Sequence, residues 1–119
     1  MKKTLVIGAS TNPQRYSNKA IYKLLANEIE VKAIGVKDGE VGGVTIEKEL
    51  LNFEDIHTVT LYVNPKIQRN YYEYIVNLNP KRVIFNPGTE NSAFAEILEE
   101  NGIQFENACT LVLLSINQY

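Results

Sequence analysis

Residues 4 to 17, Thr-Leu-Val-Ile-Gly-Ala-Ser-Thr-Asn-Pro-Gln-Arg-Tyr-Ser, hold the polar groups best placed for chemistry. Gly8 closes an apolar run and opens a short polar stretch, Ala9 to Ser17, after which Ala20, Ile21, Leu24 and Leu25 recur at helical spacing. The order strand, glycine loop, helix aims backbone N–H groups and the positive end of a helix dipole at one point, where an anion settles without a metal. Ser17 stands where a hydroxyl would cap that helix. The chemistry expected of this stretch is the holding of a phosphate-like group.

The glycine pattern qualifies that expectation. A dinucleotide fingerprint places glycine at three offsets, and here those offsets read Gly8, Ser10 and Pro13. Gly8 can make the tight turn, but Ser10 carries a side chain, so a pyrophosphate would meet a hydroxyl and the loop must follow another path. A plain strand-to-helix turn is the competing reading. A second charge stands at the end of the next apolar run, where Val31 to Val36 lead into Lys37. An acidic residue there would take the free ribose hydroxyls of NAD. A lysine suits a phosphorylated ribose, as in NADP or coenzyme A, and reads equally as a solvated loop charge.

The elements that must position these residues follow from hydrophobic patterning. Thr4 to Ile7 reads as a central strand buried on both faces of a parallel sheet. Val31 to Val36 gives a second strand. Asp38 to Gly43 is a turn-rich connection, Val44 to Ile46 a short extended piece, and Glu47 to Glu54 a brief helix with Leu50 and Leu51 inward. His57 to Val63 supplies a third strand, with His57 itself at a surface or edge position. Val63-Asn64-Pro65 then opens a helix whose stripe, Ile67, Tyr71, Tyr74, Ile75 and Leu78, reads as core or as a dimer seam, with Tyr72 off the stripe. Arg82 to Phe85 forms a fourth strand ending in Asn86-Pro87-Gly88-Thr89. A helix over Phe94 to Leu98 stops at Gly102, and Ile103 to Glu106 forms a fifth strand. The apolar tail, Leu111 to Leu114, is expected to bury. In open α/β sheets ligands sit beyond the carboxyl ends of the strands, so Gly8, Lys37, Val63 and Gly88 should share one rim.

At 119 residues the chain is one domain, residues 1–119, a single sheet with helices packed on it. A net charge of −2 argues against a general nucleic-acid binder, which needs a basic stripe to displace counterions. Met1-Lys2-Lys3 runs straight into the first strand with no cleavable leader and no membrane-length apolar run, so a cytoplasmic protein without membrane partners is expected. One cysteine, Cys109, allows no internal disulfide and reads as a buried, inert thiol. One histidine, His57, excludes a multi-histidine metal site. The tyrosine-rich helix and the apolar tail offer surfaces for a homo-oligomer.

Gly8-Ala9-Ser10, Asn12-Pro13, Arg15-x-Ser17, Lys37, Glu40-Val41-x-Gly43, Val63-Asn64-Pro65, Gly88 and Cys109 together resemble the small stand-alone coenzyme A-binding proteins. That family is similar to the amino-terminal coenzyme A-binding domain of the succinyl-CoA synthetase α subunit. The resemblance implies an α/β fold, a single Rossmann-like three-layer domain with a mainly parallel five-stranded sheet. It also implies coenzyme A or acyl-CoA as ligand. Gly8, Ala9, Ser10, Thr11, Asn12 and Pro13 would line the pyrophosphate, with Arg15 and Ser17 near it. Lys37 would approach the phosphorylated ribose or adenine, while Val63, Asn64 and Pro65 would border the nucleotide, with Gly88 close by. The chain departs from the family pattern at Ile34-Gly35-Val36, where Val-Asn-Pro is usual, and after the cysteine, at Thr110 to Leu113. The synthetases' phosphohistidine domain is missing and His57 matches none of their catalytic motifs. The expectation is therefore a binder with no catalytic residue of its own. A small NADP-linked oxidoreductase and an interaction protein that keeps the fold without a ligand are the alternatives.

Overall fold

The computed structural model describes residues 2–119, so the leader reading attached to Met1 lies outside the described residues. Seven strands form one sheet: β1 (Thr4–Ile7), β2 (Val31–Ile34), β3 (Gly39–Val41), β4 (Val44–Glu47), β5 (Thr58–Leu61), β6 (Arg82–Phe85) and β7 (Gln104–Asn107). Their order is β3-β4-β2-β1-β5-β6-β7, with every pairing parallel except β3 against β4. Helices are α1 (Tyr16–Ala26), α2 (Pro65–Gln68), α3 (Tyr72–Leu78), α4 (Ser92–Glu100) and α5 (Thr110–Ser115). Because β1 neighbours both β2 and β5, the chain order reverses beside it. Such a reversal opens a crevice at the carboxyl ends of the two diverging connections.

The sheet thus has seven strands rather than five. Gly42 and Gly43, with φ of +57° and +89°, form the two-residue turn of a hairpin that pairs Val41 with Val44. Paired glycines reach that conformation freely, and it matches the twist of the flanking strands. The expected helix over Glu47 to Glu54 is also overturned. Residues 48–57 run irregularly, and Leu50 and Leu51 are 45% and 37% exposed instead of inward. This crossover must pass β2 and β1 to reach β5, about 14 Å at the usual strand spacing. Phe53 and Ile56 anchor it in the core instead.

All four residues of β1 are fully buried, as the branched apolar run anticipates. Alternation divides them between two cores. Leu5 and Ile7 join Val59, Leu61, Val83 and Phe85 beneath Ile75, Phe94 and Leu98 of α3 and α4. Val6 joins Ala33 and Ile46 beneath Ile21 and Leu24 of α1 and Leu114 of α5. Thr60 of β5 is fully buried among polar partners: its hydroxyl lies 2.8 Å from that of Thr110, and the Asn86 amide donates to it at 2.6 Å. The tail buries only in part. Leu114 turns inward, whereas Val112 and Ile116 are 52% and 57% exposed.

The helix after Pro65 is broken by a 3-10 turn at Arg69–Tyr71. That break shifts the phase of the expected stripe. Ile75 stays in the core, while Ile67 emerges 42% exposed. Tyr72, off the stripe, stacks on Phe94 with centroids 4.3 Å apart.

Candidate functional site

The loop after β1 is shaped by two glycines. Gly8 has φ +95°, and a Cβ there would lie 2.9 Å from the Tyr62 carbonyl oxygen. The amides of Gly8 and Ala9 both donate to the Ile34 carbonyl at 2.9 Å, which swings the chain over the end of β2. Gly35 makes room for this crossing, since a Cβ on it would meet the Ala9 carbonyl oxygen at 2.4 Å. The departure at Ile34-Gly35-Val36 is therefore where the loop passes over the neighbouring strand.

Beyond that crossing the loop braces itself. Ser10 Oγ accepts from the Asn12 amide at 3.1 Å, Asn12 Oδ1 accepts from the Gln14 amide at 3.0 Å, and Asn18 Nδ2 donates to the Ser10 carbonyl at 2.9 Å. As an acceptor in this turn, Ser10 keeps its own O–H proton to donate. Among the described residues the Ser10 and Thr11 amides have no hydrogen-bond partner. Two hydroxyls and two amides therefore stand as donors on one short loop.

The N-cap of α1 is Arg15, with no side-chain cap. Ser17 is not the expected cap; it is the second helical residue and 3% exposed. The uncapped first turn leaves the positive end of an 11-residue helix dipole directed at the rim.

A cavity of about 520 Å³ opens at the crevice. It brings together Gly8, Ala9, Ser10, Thr11, Asn12, Arg15, Lys37, Val63 and Asn64 from the expected site. A second cavity of about 310 Å³ shares Gly8, Arg15, Val63 and Asn64 and adds Ser17 and Gly88. Pro13 and Pro65 line neither; Pro65 instead opens α2, where Asn64 Oδ1 caps the Ile67 amide at 2.9 Å. Lys37 and Ser10 thus lie on the same rim.

Sequence reasoning missed the apolar walls. Val36, 82% exposed, and Ile67 and Tyr71 border the larger cavity, and Pro87 and Thr89 border the smaller. A glycine at the end of a strand, Gly35, was the available signal for close backbone approach. Ile67 and Tyr71 carried none, because their spacing matched a buried helical face.

Among the residues lining the two cavities charge has one sign, while Glu90 Oε1 accepts from the Gly88 amide at 2.8 Å beside the smaller one. Arg15 and Lys37 line the cavities, and no carboxylate, histidine or cysteine does. The ion pairs among the described residues, Lys3 with Glu30 and Arg82 with Glu106, involve neither cation. Tyr62 borders both cavities, and burial pushes its phenol far up, so it stays neutral at pH 7.

His57 precedes β5 at the opposite end of the sheet, half-buried, with Nδ1 2.7 Å from Thr58 Oγ1. Burial, then the charge of Arg82, lowers its pKa. Cys109 is half-buried rather than buried, and lines neither cavity. Among the described residues no cluster of three or more His, Cys, Asp or Glu could hold a metal, and no helix is long and apolar enough to cross a membrane.

Solved structures repeat this architecture. A protein described as uncharacterized, known from its crystal structure, is 50% identical, with a TM-score of 0.97 over 100% of this chain and 98% of its own. A hypothetical protein from Pyrococcus horikoshii OT3 is 30% identical, with a TM-score of 0.85 over 93% of this chain and 80% of its own. A protein from Thermus thermophilus shares the fold at 20% identity, with a TM-score of 0.85 over 99% and 91% of the two chains. No curated protein matches the chain. The CoA binding domain, as a family, matches residues 2–115, from ahead of β1 to the end of α5. Because that match takes in every strand and helix of the sheet sandwich, the chain belongs to the CoA binding domain family.

Proposed function

We propose that this protein binds coenzyme A or an acyl-CoA across the carboxyl rim of its sheet, as a binder without catalytic chemistry of its own. The ligand's pyrophosphate meets the free amides of Ser10 and Thr11, the Ser10 hydroxyl and Arg15. Its 3′-phosphate lies toward Lys37, and its adenine slots between Val36 on one side and Ile67 and Tyr71 on the other. The pantetheine arm then crosses Gly8 and Val63 into the smaller cavity, toward Gly88.

One observation carries this reading: the loop donors, Arg15 and Lys37 line a single cavity that no carboxylate enters. A polyanion is stabilised there by charge-assisted hydrogen bonds and by a helix terminus. Family membership supports coenzyme A binding in general. The lining offers amide and hydroxyl donors and two cations, the groups that holding a polyanion requires.

Isothermal titration tests it. Coenzyme A should bind more tightly than NADP, and Lys37→Ala and Arg15→Ala should each weaken binding by about tenfold, the scale of one charge-assisted phosphate contact. Tighter binding of NADP, or no heat with millimolar coenzyme A, would sink the proposal.

A further inference from the structure

Gln68 is fully buried, on the last turn of a helix only four residues long. Its Nε2 donates to two main-chain carbonyls, Val63 at 2.8 Å and Thr89 at 2.8 Å. Two carbonyl partners fix the amide orientation, because only the NH₂ end can serve them both. Its Oε1 accepts from Asn91 Nδ2 at 2.9 Å. The other Asn91 hydrogen reaches the Tyr72 hydroxyl at 2.8 Å, and Asn91 Oδ1 caps α4 through the Phe94 amide at 3.1 Å. Both amides therefore have all their N–H hydrogens engaged.

A hydrocarbon side chain would fill the same space without the desolvation that a buried amide incurs. What the amide adds is a fixed distance between two loops. Val63 and Thr89 both line the smaller cavity. The Val63 wall has a second tether, since the adjacent Tyr62 amide donates to the Ile7 carbonyl at 2.9 Å. The loop carrying Gly88 and Thr89 is instead closed on itself, with the Thr89 amide and hydroxyl both donating to the Asn86 carbonyl at 2.9 and 2.8 Å. Its start is tied to β5, where Asn86 Nδ2 donates to Thr60 Oγ1 and the Leu61 carbonyl at 2.6 and 2.9 Å, and its far end is tied to Val63 through Gln68.

We infer that Gln68 is a positioning residue: it sets the width of the smaller cavity, and thereby the fit of the part of the ligand beyond the pyrophosphate. This rests on the coenzyme A reading, with the nucleotide in the larger cavity and the pantetheine arm in the smaller. Losing the amide leaves the Val63 and Thr89 carbonyls without that donor and frees the Thr89 end of the loop, which Asn86 then holds only at its start. The larger cavity keeps Ser10, Arg15 and Lys37 in place.

The test is calorimetric titration of the full chain with coenzyme A and, separately, with adenosine 3′,5′-bisphosphate, which lacks the arm. Gln68→Met should weaken coenzyme A by about tenfold or more, the scale of lost donors to buried carbonyls, and leave the bisphosphate within about twofold. Asn91→Ser keeps an acceptor for the Phe94 amide but removes both N–H donors. It should show the same selectivity at about threefold, and it decides the matter if the methionine variant does not fold. Equal weakening of both ligands would mean that Gln68 serves only stability, and no weakening of either would mean that it positions nothing; each result overturns the inference. Failure of the unaltered protein to bind either probe would instead overturn the site assignment on which it rests.

Discussion

Gly35→Ala is the smallest change that should disturb the binding loop, and its size can be worked from the geometry. The added methyl would sit 2.4 Å from the Ala9 carbonyl oxygen and 2.9 Å from Ile46 Cγ2. The first contact is about 1 Å inside ordinary van der Waals separation, and main chain cannot step aside as a long side chain can. Gly35 needs no left-handed backbone, so the penalty is steric alone. Overpacking of this kind costs about 1–3 kcal/mol. With an unfolding entropy of about 2.1 cal/mol/K per residue, a domain of this length loses roughly 4 °C of Tm per kcal/mol, so a fall of about 4–12 °C is expected. The loop amides should shift with Ala9, weakening coenzyme A by about tenfold. Gly43→Ala is the matched control, with φ +89° but open space around the new methyl. It should cost about 1 kcal/mol of conformational strain and leave affinity unchanged. Differential scanning calorimetry with titration of both variants decides the point. A Gly35→Ala protein with unaltered Tm and affinity would refute the reasoning.

Other outcomes follow from the same structure. Asn86 spends its amide on Thr60 Oγ1 at 2.6 Å and the Leu61 carbonyl at 2.9 Å, and accepts from the Thr110 amide at 2.9 Å. Asn86→Ala should therefore lower stability by about 2–3 kcal/mol in urea unfolding, and a loss below about 0.5 kcal/mol would count against the network. His57, held below its usual pKa, binds its proton more readily in the unfolded chain. Stability should thus fall as pH drops below the unfolded value of 6.5, and His57→Gln should flatten the Tm profile between about pH 7 and 5.5. Salt should weaken coenzyme A binding to the unaltered protein more steeply than to Lys37→Ala, as read by titration at two ionic strengths. Equal salt slopes would place the 3′-phosphate away from Lys37.

The strand and loop at Thr4 to Asn12 were legible because each local signal agrees: four buried apolar or branched residues, then a glycine with φ +95°, then small polar residues before a helical period. Ser17 misled because a hydroxyl near a helix start looks like a cap, whereas the loop's own turns at Ser10 and Asn12 carry the chain on to begin the helix at Tyr16. The hairpin at Gly42 and Gly43 was hidden by the shortness of β3, three residues including Gly39. Ile67 and Tyr71 fit a helical stripe in sequence, but the 3-10 break puts Ile67 out of phase with buried Ile75, and both Ile67 and Tyr71 line the cavity. Gln68 gave no sign at all, since its importance lies in carbonyls 5 and 21 residues away along the chain.

The most direct test of the account is a crystal structure of the protein grown with coenzyme A. It predicts pyrophosphate oxygens within hydrogen-bond reach of the Ser10 and Thr11 amides and the 3′-phosphate within ion-pair reach of Lys37. Coenzyme A ordered anywhere else, or bound at this rim with its 3′-phosphate turned away from Lys37, would contradict it.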